Sequence, residues 1–513
     1  MSFRAIVFCL LLSASSNAVL AQSTVGSAGE RSHVERFSTP EVRAERAEAD
    51  ATTKLSQAPN DDRALNARAL ARMRLGRNKE AYDDLVRAVA LKPTNSEYQA
   101  NLGYVLWKLG RPADAINAER TAIKLDGQNT AAHYQLGRFL LRLGEKADLK
   151  EAIGELRRAL ELDPRQYDVR FELVAAYREI GNLAEAAAQL DVLQDSRPTD
   201  PRVFYVTALL DTDRKDLNSA IRNFKEALSR DPNMYGAWQD LGLAYGQAGK
   251  WADAAATFAE LTRKQPNSIE AAYLYALAQY NSGKTNEAET EVRRALRLDA
   301  GAVEAHTLLG IILASRSNAN AEAVDSLSQA VALNPNSFDA QFYLGRVQYA
   351  MKDYANSVKS LQTAVRLNPA HAEARFFLGT ALELSGDSQA AMAEYQELLR
   401  IDPNSVMGQL GSGALLVKQG KIDEAIVALN RAVQLDPKEF EAQWALGRAL
   451  ALKGSYSEAI ESFQHAVAIA PERSDAHYQL GLALKRVGRT QEADREFATV
   501  ERLNREFRTN TKP

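Results

Sequence analysis

The stretch His133-Tyr134-Gln135-Leu136-Gly137 occurs a second time, letter for letter, as His477-Tyr478-Gln479-Leu480-Gly481. The copies stand 344 positions apart, which is ten steps of 34 residues with four left over. A fixed period of that size is the mark of a repeat array and takes precedence over any other reading. Leu-Gly, a later Ala, another Ala seven residues on and a Pro five beyond that recur in register. They define thirteen repeats, starting at Asp62, Ser96, Thr130, Tyr167, Pro201, Tyr235, Ile269, Val303, Phe338, Ala372, Val406, Phe440 and Ser474. Steps are 34 except in the third repeat, lengthened by three residues around Lys146 to Leu149, and the eighth, lengthened by one near Asn318 to Asn320. Those additions supply the four left over, so the two copies occupy the same place in repeats three and thirteen.

Each repeat predicts two helices. In the twelfth, helix A carries Gln443, Leu446, Gly447 and Leu450 on one face at 3.6-residue spacing, and Gly454 ends it as glycine does just past a helix. Helix B presents Ala459, Phe463 and Ala466, and Pro471 closes the repeat because proline lacks the N–H and biases the residue before it away from helix. Gly447, Ala459 and Ala466 are small where helices must approach, and Phe463 fills the space they leave.

This pattern resembles the tetratricopeptide repeat, a helix-turn-helix unit of 34 residues. The resemblance covers about residues 62 to 507 and is fullest in repeat six, with Trp238, Leu241, Gly242, Tyr245, Gly249, Ala254, Phe258 and Pro266, and in repeat twelve. Departures are local: Gly127 and Ala300 replace the closing proline, Thr207-Ala208 the Leu-Gly of repeat five, and Ser357 the first Ala of repeat nine. The implied fold class is all-α, an α-solenoid forming a right-handed superhelix of about thirteen such units. Ala, Leu, Glu and Arg are plentiful, which suits helix.

The ends differ from the array. Residues 1–21 carry Arg4, an apolar run from Ala5 to Leu12 and Val19-Leu20-Ala21 before Gln22, which reads as a secretory signal cut after Ala21. The run is too short to span a bilayer. Cleavage would remove Arg4 and Cys9, the only cysteine, leaving 62 basic against 66 acidic residues and a net charge of −4. The mature chain would then fold without disulfides, in the periplasm or outside the cell. No Asn-x-Ser/Thr sequon occurs, which favours a bacterial envelope over a eukaryotic secretory route. Residues 22–38 read as a flexible linker, Thr39-Pro40 opens a capping helix in segment 39–61 running to about Gln57, and 508–513 form a tail. Arg495, Glu496, Glu501, Arg502, Arg505 and Glu506 solvate a last helix that no further repeat covers.

In the family that the pattern resembles, one face of helix A lines a concave groove where ligands lie. Position five of helix A is aromatic in eight of thirteen repeats: Tyr134, Phe171, Tyr205, Tyr273, Phe342, Phe376, Trp444 and Tyr478. Four residues on, Arg138, Arg346 and Arg448 share that face and could pair with carboxylates or peptide carbonyls. These eleven residues are the candidate partner-binding set. Packing of each ring against the next repeat is the weightier explanation of the aromatic series. Position two is acidic in eight repeats, at Glu97, Asp168, Glu270, Glu304, Asp339, Glu373, Glu441 and Asp475, where acids complement the helix dipole whether or not anything binds.

Two specialised modes of the family are not matched. Position six runs Asn101, Gln135, Glu172, Val206, Asp240 without an asparagine ladder, and no adjacent repeats assemble a Lys/Asn/Arg clamp for acidic tails. His133, His306 and His477 each fall in a different repeat, so no two share a metal, and Gly283-Lys284-Thr285 lacks the glycine and strand of a phosphate loop. No Ser-His-Asp or Cys-His system is found. The expectations are therefore no catalytic centre, no cofactor and no metal. Near-neutral charge without a basic block gives no reason to expect nucleic acid. The expected partner is a protein or peptide. Alternative roles are a periplasmic assembly factor for polysaccharide or pilus export, or a regulatory subunit of an envelope enzyme. Repeat eleven is odd: Gly408 and Gly411 add to the packing glycine Gly413 and predict a weak joint there, each extra glycine costing roughly 1 kcal/mol.

Overall fold

The computed structural model describes residues 39–145, 147–316 and 320–510. The segment read as an export signal, the linker to Ser38, the last three residues and parts of both insertions lie outside these. Among the described residues there are twenty-seven helices and no strand. A capping helix, Pro40–Gln57, comes first, with Thr39 accepting from the Val42 amide and proline at the start, where its missing N–H costs nothing. Thirteen hairpins follow, and the fold is an α-solenoid. The chain divides into two compact bodies, one ending at Lys264 and one beginning at Gln265.

Helix A starts at the residue that opens each repeat, from Asp62–Arg74 to Ser474–Arg486. Local chemistry fixes the start. Asp61, Asn95, Asn129, Ser268, Ser337 and Ser405 stand just before it and accept from an amide in the first turn. In the twelve repeats whose fifteenth residue is described, that residue fixes the end, because the chain turns there through the left-handed region. Glycine fills that place in ten repeats. In repeats five and nine the same turn is made by Lys215 and Lys352, both at φ 64. Gly283 is one of the turn glycines, at φ 87, and Lys284 follows it as the N-cap of Thr285–Leu298.

Between the helices of a hairpin, a glycine or alanine at position eight of helix A, in every repeat but the fourth, receives the side chain of helix B that stands sixteen residues later where no insertion intervenes. A Cβ on Gly447 would stand 2.7 Å from the Phe463 ring, and one on Gly345 2.6 Å from Leu361. Phe463 and Leu361 are fully buried. Each such side chain stabilises the hairpin by about 1.5–3 kcal/mol relative to exposure. Ser357, at an alanine place, satisfies its buried hydroxyl by donating to the Gly345 carbonyl at 2.7 Å.

Gly408 and Gly411, which read in the sequence as unforced, prove to be matched to large neighbours. The Tyr395 ring of the preceding helix B fits between Gly379 and Gly411, and a Cβ on either would lie within 2.6 Å of it. Gly408 likewise faces Leu399 at 2.9 Å. These glycines are required by a large neighbour. Tyr395 is buried and its hydroxyl lies 3.2 Å from that of Thr380.

The last helix, Thr490–Asn510, carries Arg502–Glu506 and Arg505–Glu501 pairs along its exposed surface. Glu496 is not part of that solvated set. It turns inward to His477, 2.5 Å away.

Candidate interaction face

Positions five and nine of helix A lie one turn apart and project from the same side. In three repeats this sets an arginine over a ring, Arg138 over Tyr134 at 5.3 Å, Arg346 over Phe342 at 5.4 Å and Arg448 over Trp444 at 4.6 Å.

In the first body polar groups on this face bind neighbouring repeats. Arg138 reaches Glu172 at 3.3 Å, Arg202 pairs with Asp168 at 2.8 Å, and Tyr205 donates to Asp240 at 2.7 Å. Tyr98 donates to Asp62 at 2.8 Å and Asn101 to Asn66 at 2.9 Å, so the series extends to the first repeat. Burial opposes ionisation on this face. It raises the Tyr134 hydroxyl to about 12 and lifts Glu172 above the usual carboxylate range, against the pull of Arg138. Tyr205 is raised by burial first and by Asp240 second.

In the second body the face changes along the chain. Phe342 is 0% exposed, with Phe338 at 5.8 Å, Tyr343 at 5.1 Å and His371 at 5.0 Å between ring centres. Arg346 lies over Tyr343 at 5.9 Å and Phe377 at 4.9 Å and pairs with Glu373 at 3.2 Å, and burial lowers its pKa. Phe376 is half-buried against Phe377 and Tyr395. Trp444 is half-buried, but Arg448 is exposed and faces no carboxylate within ion-pair distance among the described residues. Tyr478 is 47% exposed, and Leu482, one turn on, is exposed beside it.

The candidate set is therefore corrected in part. Phe171, Tyr273 and Phe342 are buried in the packing of helix A and present little or no surface. Arg138 and Arg346 are already committed to Glu172 and Glu373. Tyr134, Tyr205 and Phe376 present only part of a ring. Arg448 and Tyr478 are open, with part of Trp444, and Leu482 joins them without having been singled out by sequence. Its signal was its place, position nine. The acidic series at position two does more than complement the helix dipole: Asp168 and Glu373 bridge to arginines on neighbouring repeats, and Glu441 lies 3.6 Å from Arg473, the residue that caps the next helix A.

The repeated histidine has a structural job. His133 pairs with Glu155 of its own helix B while its Nε2 lies 3.2 Å from the Gly127 carbonyl. His477 repeats this with Glu496 and, at 3.0 Å, the Pro471 carbonyl. Each ring ties helix A to helix B and to the preceding turn. No group of three metal-ligating side chains gathers among the described residues. No described helix is long and apolar enough to cross a membrane.

Helical hairpins stacked in register with small-to-large contacts define an α-helical repeat scaffold. Models described as tetratricopeptide repeat match residues 101–148, 145–210, 212–278, 247–312, 312–358, 344–406 and 410–474, and the chain belongs to the tetratricopeptide-repeat family. Members of this family bind proteins or peptides. The human protein O-mannosyl-transferase TMTC3 is 28% identical over 211 residues, 40% of this chain and 23% of that protein. The BBSome complex member BBS4 homolog of Drosophila melanogaster is 21% identical over 281 residues, 46% of this chain and 58% of that one. Tetratricopeptide repeat protein 37 of Xenopus laevis is 24% identical, matching 48% of this chain and 17% of its own length. The chain thus spans under a quarter of the human and Xenopus relatives. Among solved structures, Cut9 with Hcn1 from the APC/C covers 88% of this chain and 98% of its own at 16% identity and TM-score 0.43. Yeast Tom70 covers 82% and 97% at 17% identity and TM-score 0.38.

Proposed function

We propose that the chain is an exported scaffold that holds a protein segment against the helix-A face of repeats twelve and thirteen. The observation that carries this is the contrast at positions five and nine. Arg448, Tyr478 and Leu482 stand open there, and no carboxylate lies within ion-pair distance of Arg448 among the described residues. The tyrosine and leucine would cover apolar side chains of the partner. Arg448, held over Trp444, would pair with an acidic side chain or a peptide carbonyl and so fix register. Export rests on the charged start, apolar run and small-residue site of residues 1–21.

A photo-reactive phenylalanine analogue placed at 478 tests the face, with the same analogue at 427 on helix B, where Val427 is 72% exposed, as control. Adducts from 478 and none from 427 are expected, and the reverse contradicts the proposal. Export is tested by sequencing the N-terminus of the chain recovered from the envelope fraction. Gln22 at the start is expected, and retention of Met1 contradicts it.

A further inference from the structure

The second repeat departs from the other twelve at a place the interaction reading does not use. Position 24, with the two insertions allowed for, is Leu, Val, Phe or Tyr in every repeat but one, as at Leu85, Phe258, Leu361 and Tyr395. In repeat two it is Glu119. The side chain goes where the others go: it is 0% exposed, and a Cβ on Gly103 would stand 2.6 Å from its Oε1. Neither oxygen has a hydrogen-bond partner among the described residues.

The elements around it offer no counter-charge. Helix B of this repeat, Pro112–Leu125, packs on helix A, Ser96–Lys108, and on helix A of repeat three, Thr130–Leu143. On its own helix, Arg120 turns to Glu151 and Asp114 to Arg111. From the neighbours, Glu97 lies 3.5 Å from the Asn66 amide, Lys108 over Tyr104, His133 beside Glu155 and Arg138 beside Glu172. What packs in this layer is Leu106, Leu136, Phe139 and Leu140. An ionised carboxylate cannot be held in such a place without a donor or cation, and it stays neutral instead.

We propose that repeat two is a proton-dependent joint, which packs with Glu119 as the neutral acid and loosens as the pH rises. Burial alone holds the group well above the usual carboxylate range. In the unfolded chain a glutamate ionises near about 4.3. Between that value and the folded one, folding takes up a proton. The stability of the joint is therefore full at pH values below about 4.3 and falls by up to about tenfold in equilibrium constant per pH unit above it. The loss ends once pH has passed through the folded value.

Hydrogen exchange of the full chain tests this, read in helices Ser96–Lys108, Pro112–Leu125 and Thr130–Leu143 from pH 5 to 8 and corrected for intrinsic rates. Glu119→Leu supplies the residue that this place holds in half of the other repeats, and Glu119→Gln keeps the polarity without the titration. The expected result is protection that falls with pH in the native chain, relative to a flat Glu119→Leu, with Glu119→Gln flat but less protected than the leucine variant. Parallel profiles for the native chain and Glu119→Leu would overturn the proposal. So would a Glu119→Gln profile that keeps the native slope.

Discussion

Phe342 in repeat nine and Tyr478 in repeat thirteen hold the same position of the same helix, in the same compact body, and meet opposite environments. The first has no exposed surface and the second is nearly half open. The neighbours make the difference. Repeat nine surrounds its ring with Phe338, Tyr343 and His371 and draws Arg346 down onto it, paired with Glu373. Beside Tyr478 the ring of Phe497 lies 6.0 Å away, and Leu482 stands open one turn on. A position in the repeat therefore sets which side a residue is on. The size and charge of residues on adjoining helices set whether that side is a core or a surface.

The comparison is broken most easily by truncation. Phe342→Ala should cost about 3–5 kcal/mol, since a fully buried ring leaves a cavity, while Tyr478→Ala should stay within about 1 kcal/mol. Urea unfolding followed within the second body checks this, and equal losses would erase the distinction. Gly411→Ala comes next, with about 1–3 kcal/mol lost because the new Cβ would press into the Tyr395 ring at 2.5 Å. Tyr395→Leu in the same chain should return part of that loss, and additivity of the two changes would show that the glycine serves something else.

Arg346→Gln should destabilise repeat nine by about 1–3 kcal/mol by leaving Glu373 without its cation. Arg448→Gln should be neutral within about 0.5 kcal/mol. Both are read from thermal or urea midpoints. Lys352→Gly should raise stability by about 0.5–1 kcal/mol, because lysine at φ 64 bears a cost that glycine does not. A decrease would mean that the lysine side chain stabilises more than its backbone costs.

The smallest effect is in the loop before repeat twelve. Glu439 is raised to about 7 by burial first, then by its hydrogen bond with Glu441 and the charges of Glu441 and Asp436. With the folded value above the unfolded one, its stabilising contribution is complete below about 4.3 and is lost as pH rises through about 7. Carboxyl chemical shifts against pH should show one carboxyl of the pair titrating near neutrality, and Glu441→Gln should bring Glu439 back down.

The helical hairpin was legible because its markers answer local needs. Glycine allows the left-handed turn after helix A, proline bars continuation of helix B, and a small residue at position eight admits the side chain of position 24. What was not legible depends on partners in another helix. Gly411 reads as a flaw until Tyr395 is placed against it, sixteen residues earlier on the preceding helix. Arg138 and Arg346 read as free cations because their carboxylates stand on the next repeat. Glu119, between Ala118 and Arg120, reads as ordinary helix surface, and only the register assigns it to the core. The same holds for the aromatic series, where eight similar letters conceal both core and surface.

The most direct test of the account is capture of a cross-linked partner from envelope fractions by three full-length chains: native, Arg448→Glu with Tyr478→Ala, and Val427→Glu. A protein held by the native chain is expected to be lost from the double variant, which remains as folded as the native chain, and to be kept by Val427→Glu. Retention by the double variant with loss from Val427→Glu would contradict this and move recognition to helix B.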